Sequence, residues 1–135
     1  MRTGYVGPER RRAKRVKTTF IVIYKVGYPL QVRMTVRERD INAIMINLSE
    51  AGMAILTNYN IPVSTLLLMK FILINENSAL DEERVRPMEI AGEVRYSISG
   101  ERDERRLGIY FTQISDADRH AISSFLRMPD ISSQK

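Results

Sequence analysis

The sequence has no cysteine and no tryptophan, and only one histidine among its 135 residues. Without cysteine, a disulfide framework and a thiolate metal site are both excluded. His120 sits among polar and charged neighbours, so there is no histidine cluster for zinc and no His-paired nucleophile. No glycine-rich stretch runs into a lysine in the manner of a phosphate-cradling loop. The acids at 81–83 and 101–104 fall in turn-like hydrophilic stretches, without the burial or tuned neighbours that acid–base chemistry requires. No catalytic or metal-binding residue can be nominated, and the chain reads as a non-enzyme with no cofactor. Long apolar runs are missing as well. Ile61 to Ile74 is broken by Pro62, Ser64 and Lys70, well short of the roughly 20 apolar residues a membrane helix needs. The positive N-terminus is not followed by an apolar segment with a small-residue cleavage site, so no secretory signal is read there. A cytoplasmic setting without membrane insertion is expected.

What is present is a strongly uneven charge. Residues 1–17 hold seven of the 21 basic residues but only one of the 16 acidic ones, a net of +6 against −1 for the rest of the chain. A basic arm on a near-neutral body points to an anionic partner. The remaining composition, 44% hydrophobic and 27% charged, is that of a single globular domain. The expected division is a basic arm over 1–17, a folded unit over 18–128 and a polar tail over 129–135.

Within the folded unit, short β-branched and apolar stretches alternate with turn signals. Thr18–Val26 reads as a strand. Gly27-Tyr28-Pro29 is a turn signal, and Leu30–Val36 alternates apolar and polar residues as a second strand of a hairpin would. Further strands are expected at 41–46, 53–56, 65–74, 88–97 and 107–111. Among them, Ile90, Val94 and Tyr96 are expected to share one face. Residues 75–87 read as a long exposed connection and 99–104 as a hairpin tip. Ser115 followed by Asp118 resembles a capping box. Ala117, Ala121, Ile122, Phe125 and Leu126 then form one stripe at helical spacing, before Pro129 ends the helix. The pattern predicts a mainly β fold: a small antiparallel barrel of about six strands with a C-terminal α-helix.

Two segments are suited to holding an anion. Arg11 and Arg15 are four apart and immediately precede the first strand. Arginine's planar fork meets phosphate bidentately, matches guanine O6 and N7, and stacks on bases. In an extended Asn47-Leu48-Ser49-Glu50-Ala51-Gly52, Asn47 and Ser49 would project to one face. Gly52 there permits a positive φ or a close backbone approach. Alone, the second segment reads as an ordinary polar turn.

Together, RxxxR before the first strand and NxSxxG at a strand–turn–strand junction resemble the PilZ domain family. Glu9-Arg10-Arg11, Arg15-Val16, Asn47-Leu48-Ser49 into Gly52-Met53, Gly92-Glu93-Val94 and Leu107–Phe111 carry the resemblance, which spans about Glu9 to Leu126. The family often has aspartate where Asn47 stands and glycine where Ala51 stands. What the resemblance implies is a receptor for the bacterial second messenger cyclic di-GMP. Arg11 and Arg15 would grip its bases and phosphates, Asn47 and Ser49 would complete the guanine pocket, and Gly52 would provide the turn. Arg10 occupies the position that the family uses to set stoichiometry, one ligand or an intercalated pair. Binding would fold the arm over the barrel and alter a surface read by a downstream protein partner in motility, polysaccharide or biofilm control. Two rival readings remain: a PilZ-like adaptor that binds protein but not nucleotide, and a nucleic-acid-binding barrel. The second is disfavoured because Phe20, Tyr24, Phe71 and Phe111 read as strand or core residues, leaving few stacking platforms.

Overall fold

The computed structural model describes residues 16–17, 20–75 and 84–127. Its elements, in chain order, are β1 (Val16–Lys17), β2 (Ile21–Tyr28), α1 (Leu30–Thr35), β3 (Ile41–Leu48), β4 (Gly52–Thr57), β5 (Leu66–Ile74), β6 (Val85–Ser99), β7 (Arg105–Gln113) and α2 (Asp116–Arg127). All strand pairings are antiparallel. The order β3-β2-β5-β6-β7-β4, with β3 pairing back to β4, closes a six-stranded barrel. β1 adds to β3 on the same edge as β2, so a broken β1–β2 line covers that side of β3. Closure removes the unpaired edges that such apolar strands would otherwise present.

Period-two alternation builds the interior. β2 turns Val22, Tyr24 and Val26 inward, and β5 does the same with Leu67, Met69, Phe71 and Leu73. Met45, Ile55, Met88, Val94, Leu107 and Ile109 join them in one continuous core. Each large side chain buried in this way contributes about 1.5–3 kcal/mol relative to exposure. Tyr24, the one phenol placed fully inside among the described residues, shares a 2.8 Å hydrogen bond with Thr57 Oγ1.

The expected second strand at 30–36 is instead a helix. Pro29, which follows a cis Tyr28–Pro29 peptide, leads into α1. Its carbonyl accepts from the Val32 and Arg33 amides, both at 3.1 Å. The alternating Leu30, Val32, Met34 and Val36 conceal a helical spacing. Val32 and Val36, four apart, meet the core, while Leu30 and Met34 are exposed. Arg37 and Glu38 then take positive φ angles of 61° and 53°. The Glu38 amide donates to the Arg33 carbonyl at 2.9 Å, and this left-handed turn sends the chain into β3.

The C-terminal helix starts as expected: the Asp118 amide donates to Ser115 Oγ at 3.0 Å. The inward face differs from the expected stripe. Ala117 is exposed and Asp118 is buried in its place, where its carboxylate accepts from Arg86 Nε at 3.2 Å and Nη2 at 3.0 Å. A carboxylate therefore takes a position on the packed face because β6 supplies its partner. Ile122 and Leu126 enter the core, and Phe125 meets Phe20 with ring centroids 5.9 Å apart. The 75–87 connection is shorter than expected. Asn75 is buried, its amide donates to the Arg84 carbonyl at 2.8 Å, and β6 is already running at Val85.

Candidate functional site

Between β3 and β4 the chain reverses through Ser49-Glu50-Ala51. The Ser49 amide donates to the Gly52 carbonyl at 2.9 Å. Ser49 Oγ accepts from the amides of Ala51 at 3.3 Å and Gly52 at 3.2 Å. Its own proton has the Gly52 carbonyl at 3.2 Å. Ser49 is thus a buried strut of the turn, a hydroxyl satisfying backbone groups that a bend leaves unpaired. The Ala51 carbonyl in turn accepts from the Phe111 amide at 2.8 Å, which fastens the turn to β7.

Gly52 is required by close approach rather than by a left-handed backbone, since no described glycine has a positive φ. It pairs with Tyr110 in the ladder, and a Cβ at this position would run into the Ile109 carbonyl oxygen. Beside it, Asn47 pairs with Ala54, Ala54 with Gly108, and Gly108 with Tyr96. Directly paired residues point to one side of a sheet, so these four form an outward row. Its middle is kept low by a methyl and a hydrogen. The Tyr96 ring lies over Gly108, in the space where a Cβ would stand.

A hollow of about 220 Å³ opens between this row and the turn, bordered by Ser49, Gly52, Arg95, Tyr96 and Tyr110. Arg95 lies over the Tyr110 ring, 4.4 Å from guanidinium carbon to centroid, and its Nε is 3.6 Å from Glu93. Sequence reasoning missed Arg95 and Tyr110. The strand alternation of 107–111 marks Tyr110 as outward-facing. Arg95 could not be singled out because only the β6–β7 ladder brings it over Tyr110. A register shift between Val94 and Tyr96 takes Tyr96 off the face it was expected to share with Ile90 and Val94; Tyr96 is half-buried over Gly108. A wider hollow of about 910 Å³ at the β6–β7 hairpin is lined by Glu101, Asp103 and Glu104 along with Arg102 and Arg105; carboxylates of this number disfavour an anion.

The PilZ domain family model matches residues 9–128. The chain belongs to the PilZ domain family. Solved structures that share its fold include two from bacteria. The Bacillus subtilis inhibitor of motility (MotI/DgrA) superposes with a TM-score of 0.71 at 16% sequence identity, over 93% of this chain and 54% of that one. The PilZ domain of Escherichia coli YcgR, solved with cyclic di-GMP, superposes with a TM-score of 0.57 at 14% identity, over 87% of this chain and 88% of that one. The chain therefore spans about half the length of the Bacillus protein. No curated protein matches the sequence.

Against this PilZ frame, Asn47, Ser49 and Gly52 fall within one short stretch of the barrel, with Ser49 occupied inside the turn and Asn47 in the outward row. Arg10, Arg11 and Arg15 lie outside the described residues, as does the 129–135 tail. Val16 pairs with Leu48 and Lys17 with Asn47. His120 is exposed. Among the described residues, no three His, Cys, Asp or Glu side chains are grouped to hold a metal, and no helix is long and apolar enough to cross a membrane.

Proposed function

We propose that this PilZ domain is a receptor for cyclic di-GMP and works as a binding module. One observation carries the reading: the pairing of Val16 with Leu48 and of Lys17 with Asn47. Arg15 is one peptide bond from Val16 and Arg11 four residues further back. The basic arm therefore joins the barrel at the strand paired with Asn47 and Leu48, and on this reading the arm and the Asn47–Gly52 turn are two halves of one clamp.

The size of the hollow supports a two-part site. About 220 Å³ is less than the ~300–1,000 Å³ of a complete small-molecule pocket, so the barrel offers room for one base edge and the arm supplies the opposite wall. Arg11 and Arg15 bring forked cations to the phosphates and guanines, and Asn47 offers an amide to a base edge. Ser49 and Gly52 act by holding the turn in shape, and the Tyr110–Arg95 pair adds a face on which a purine can stack. Arg10, next to the clamp, sets whether one ligand or a stacked pair is taken. Closing the arm over the barrel changes the exposed surface, which a downstream protein reads. The likeness to an inhibitor of motility supports motility as an output, with polysaccharide and biofilm control as the other family outputs.

Isothermal titration with cyclic di-GMP, with GTP and cyclic GMP as controls, tests the reading. Saturable and selective binding is expected, and two ligands per chain would place Arg10 in an intercalated site. Arg11→Ala and Arg15→Ala should each lose about one to two decades of affinity with the barrel intact by circular dichroism. No heat at high ligand concentration would overturn the receptor reading and favour the nucleotide-independent adaptor.

A further inference from the structure

We propose that the outer face of β2, β5 and β6 is a homodimer interface on which two copies of this chain pack sheet against sheet. The argument starts from register. Ile44 pairs with Ile21. The pairing of Val22 with Phe71 brings Ile21 level with Ile72, which pairs with Pro87. An unbroken apolar row thus crosses four strands on the outside of the barrel. Ile74 and Val85 pair directly beside it. Leu66, Leu68 and Ile23 extend the same face along β5 and β2. A strand with one solvated face normally carries polar residues there. Here four of the five outward positions of β5 are aliphatic.

The size fits a dimer. The eight aliphatic side chains of this face are each 39–58% exposed. They amount to roughly 700 Å² of apolar surface, above the ~300–600 Å² of the largest patch on an ordinary monomer. With the exposed Lys25, Lys70 and Glu89 of the same face included, it approaches the ~800 Å² per partner of a stable interface.

The charges on this face point to a second copy as the occupant. Lys70 and Glu89 pair across β5 and β6, with Nζ 3.6 Å from the carboxylate and side chains 68% and 76% exposed. A face meeting itself across a twofold axis must be self-complementary. A lysine and a glutamate side by side at its middle meet that condition, because each can face the other's counterpart. A lipid surface would select an excess of Lys and Arg around the apolar patch, whereas Lys25 and Lys70 are matched here by Glu89 and Asp40. The closed barrel leaves β2, β5 and β6 paired on both edges, so association here has to use the face.

Sedimentation equilibrium of the ligand-free protein, from low to several hundred micromolar, tests the proposal independently of nucleotide binding. The wild type should sediment as a concentration-dependent dimer. Ile72→Glu and Leu68→Glu, both at exposed positions that leave the core untouched, should each weaken dimerisation about 100-fold by burying an unpaired charge, with unchanged circular dichroism. Lys70→Glu should weaken it, and Lys70→Glu with Glu89→Lys should restore it. A wild type that stays monomeric throughout, or a dimer indifferent to both glutamates, overturns the proposal. The first result would leave the face for a different protein, and the second would move the interface elsewhere.

Discussion

At the Ser49–Gly52 turn, β4 and β7 approach so closely that a methyl group at Gly52 would collide with the Ile109 carbonyl. On the far side of the barrel, the outward side chains of β5 stand exposed along the whole strand. Both regions are surface, and both are candidates for recognition, but they are built by opposite means. The turn is held by backbone contact and by a hydroxyl with no spare capacity, so its shape exists before any ligand arrives. The β5 face is held from behind, by the inward residues of the same strands, and nothing in the fold depends on which side chains point out. Shape at the first region and composition at the second are therefore separately adjustable.

Substitutions should expose this contrast. The largest effect is expected from Gly52→Ala, which forces β4 and β7 apart and costs about 3 kcal/mol, the upper range for overpacking; thermal denaturation should show a fall of about 10 °C. Ser49→Ala should cost about 1–2 kcal/mol by leaving turn amides without their acceptor, measured by urea denaturation, and should weaken nucleotide binding although Ser49 has no group free for a ligand. Tyr24→Phe tests the inner side of β2. Loss of the Thr57 hydrogen bond should cost about 1 kcal/mol near neutral pH. Burial pushes the Tyr24 phenol up to about 12 from 10.0. The folded chain then keeps a proton that the unfolded chain releases, so this group's contribution is complete below pH 10 and is lost as pH rises through about 12. The Tyr24→Phe variant should lose less stability over that interval than the wild type, in parallel urea titrations. The smallest effect is expected from Ile23→Thr on the outer face, within about 0.5 kcal/mol by the same titration at a protein concentration low enough to keep the chain monomeric. A large loss there would mean that the face supports the fold after all.

How far the sequence could be read varies with the kind of interaction involved. The β5 strand and the C-terminal helix were legible because their signals are local: a short, almost continuous apolar run over Thr65–Ile74 broken only by Lys70, and Ser115 three residues ahead of Asp118. The Asn47–Gly52 stretch was legible as a unit but not in its division of labour. Whether Ser49 reaches a ligand or its own turn depends on a bend of three residues that spacing alone does not specify. Arg95 and Tyr110 were missed because they become neighbours only through the β6–β7 ladder.

By itself, the sequence determined the mainly β class, the C-terminal helix, the uneven charge and the lack of cysteine, because each rests on residue type or on periodicity within one segment. Tertiary structure alone decided three things. It made Leu30–Thr35 a helix, since its apolar spacing satisfies period two and period 3.6 alike until Val32 and Val36 find the core. It made Asp118 an inward residue, since only Arg86 on a distant strand makes a buried carboxylate tolerable. It set Ile44, Ile21, Ile72 and Pro87 in one exposed row, since strand register is fixed by the packed inner face and the outward residues follow it.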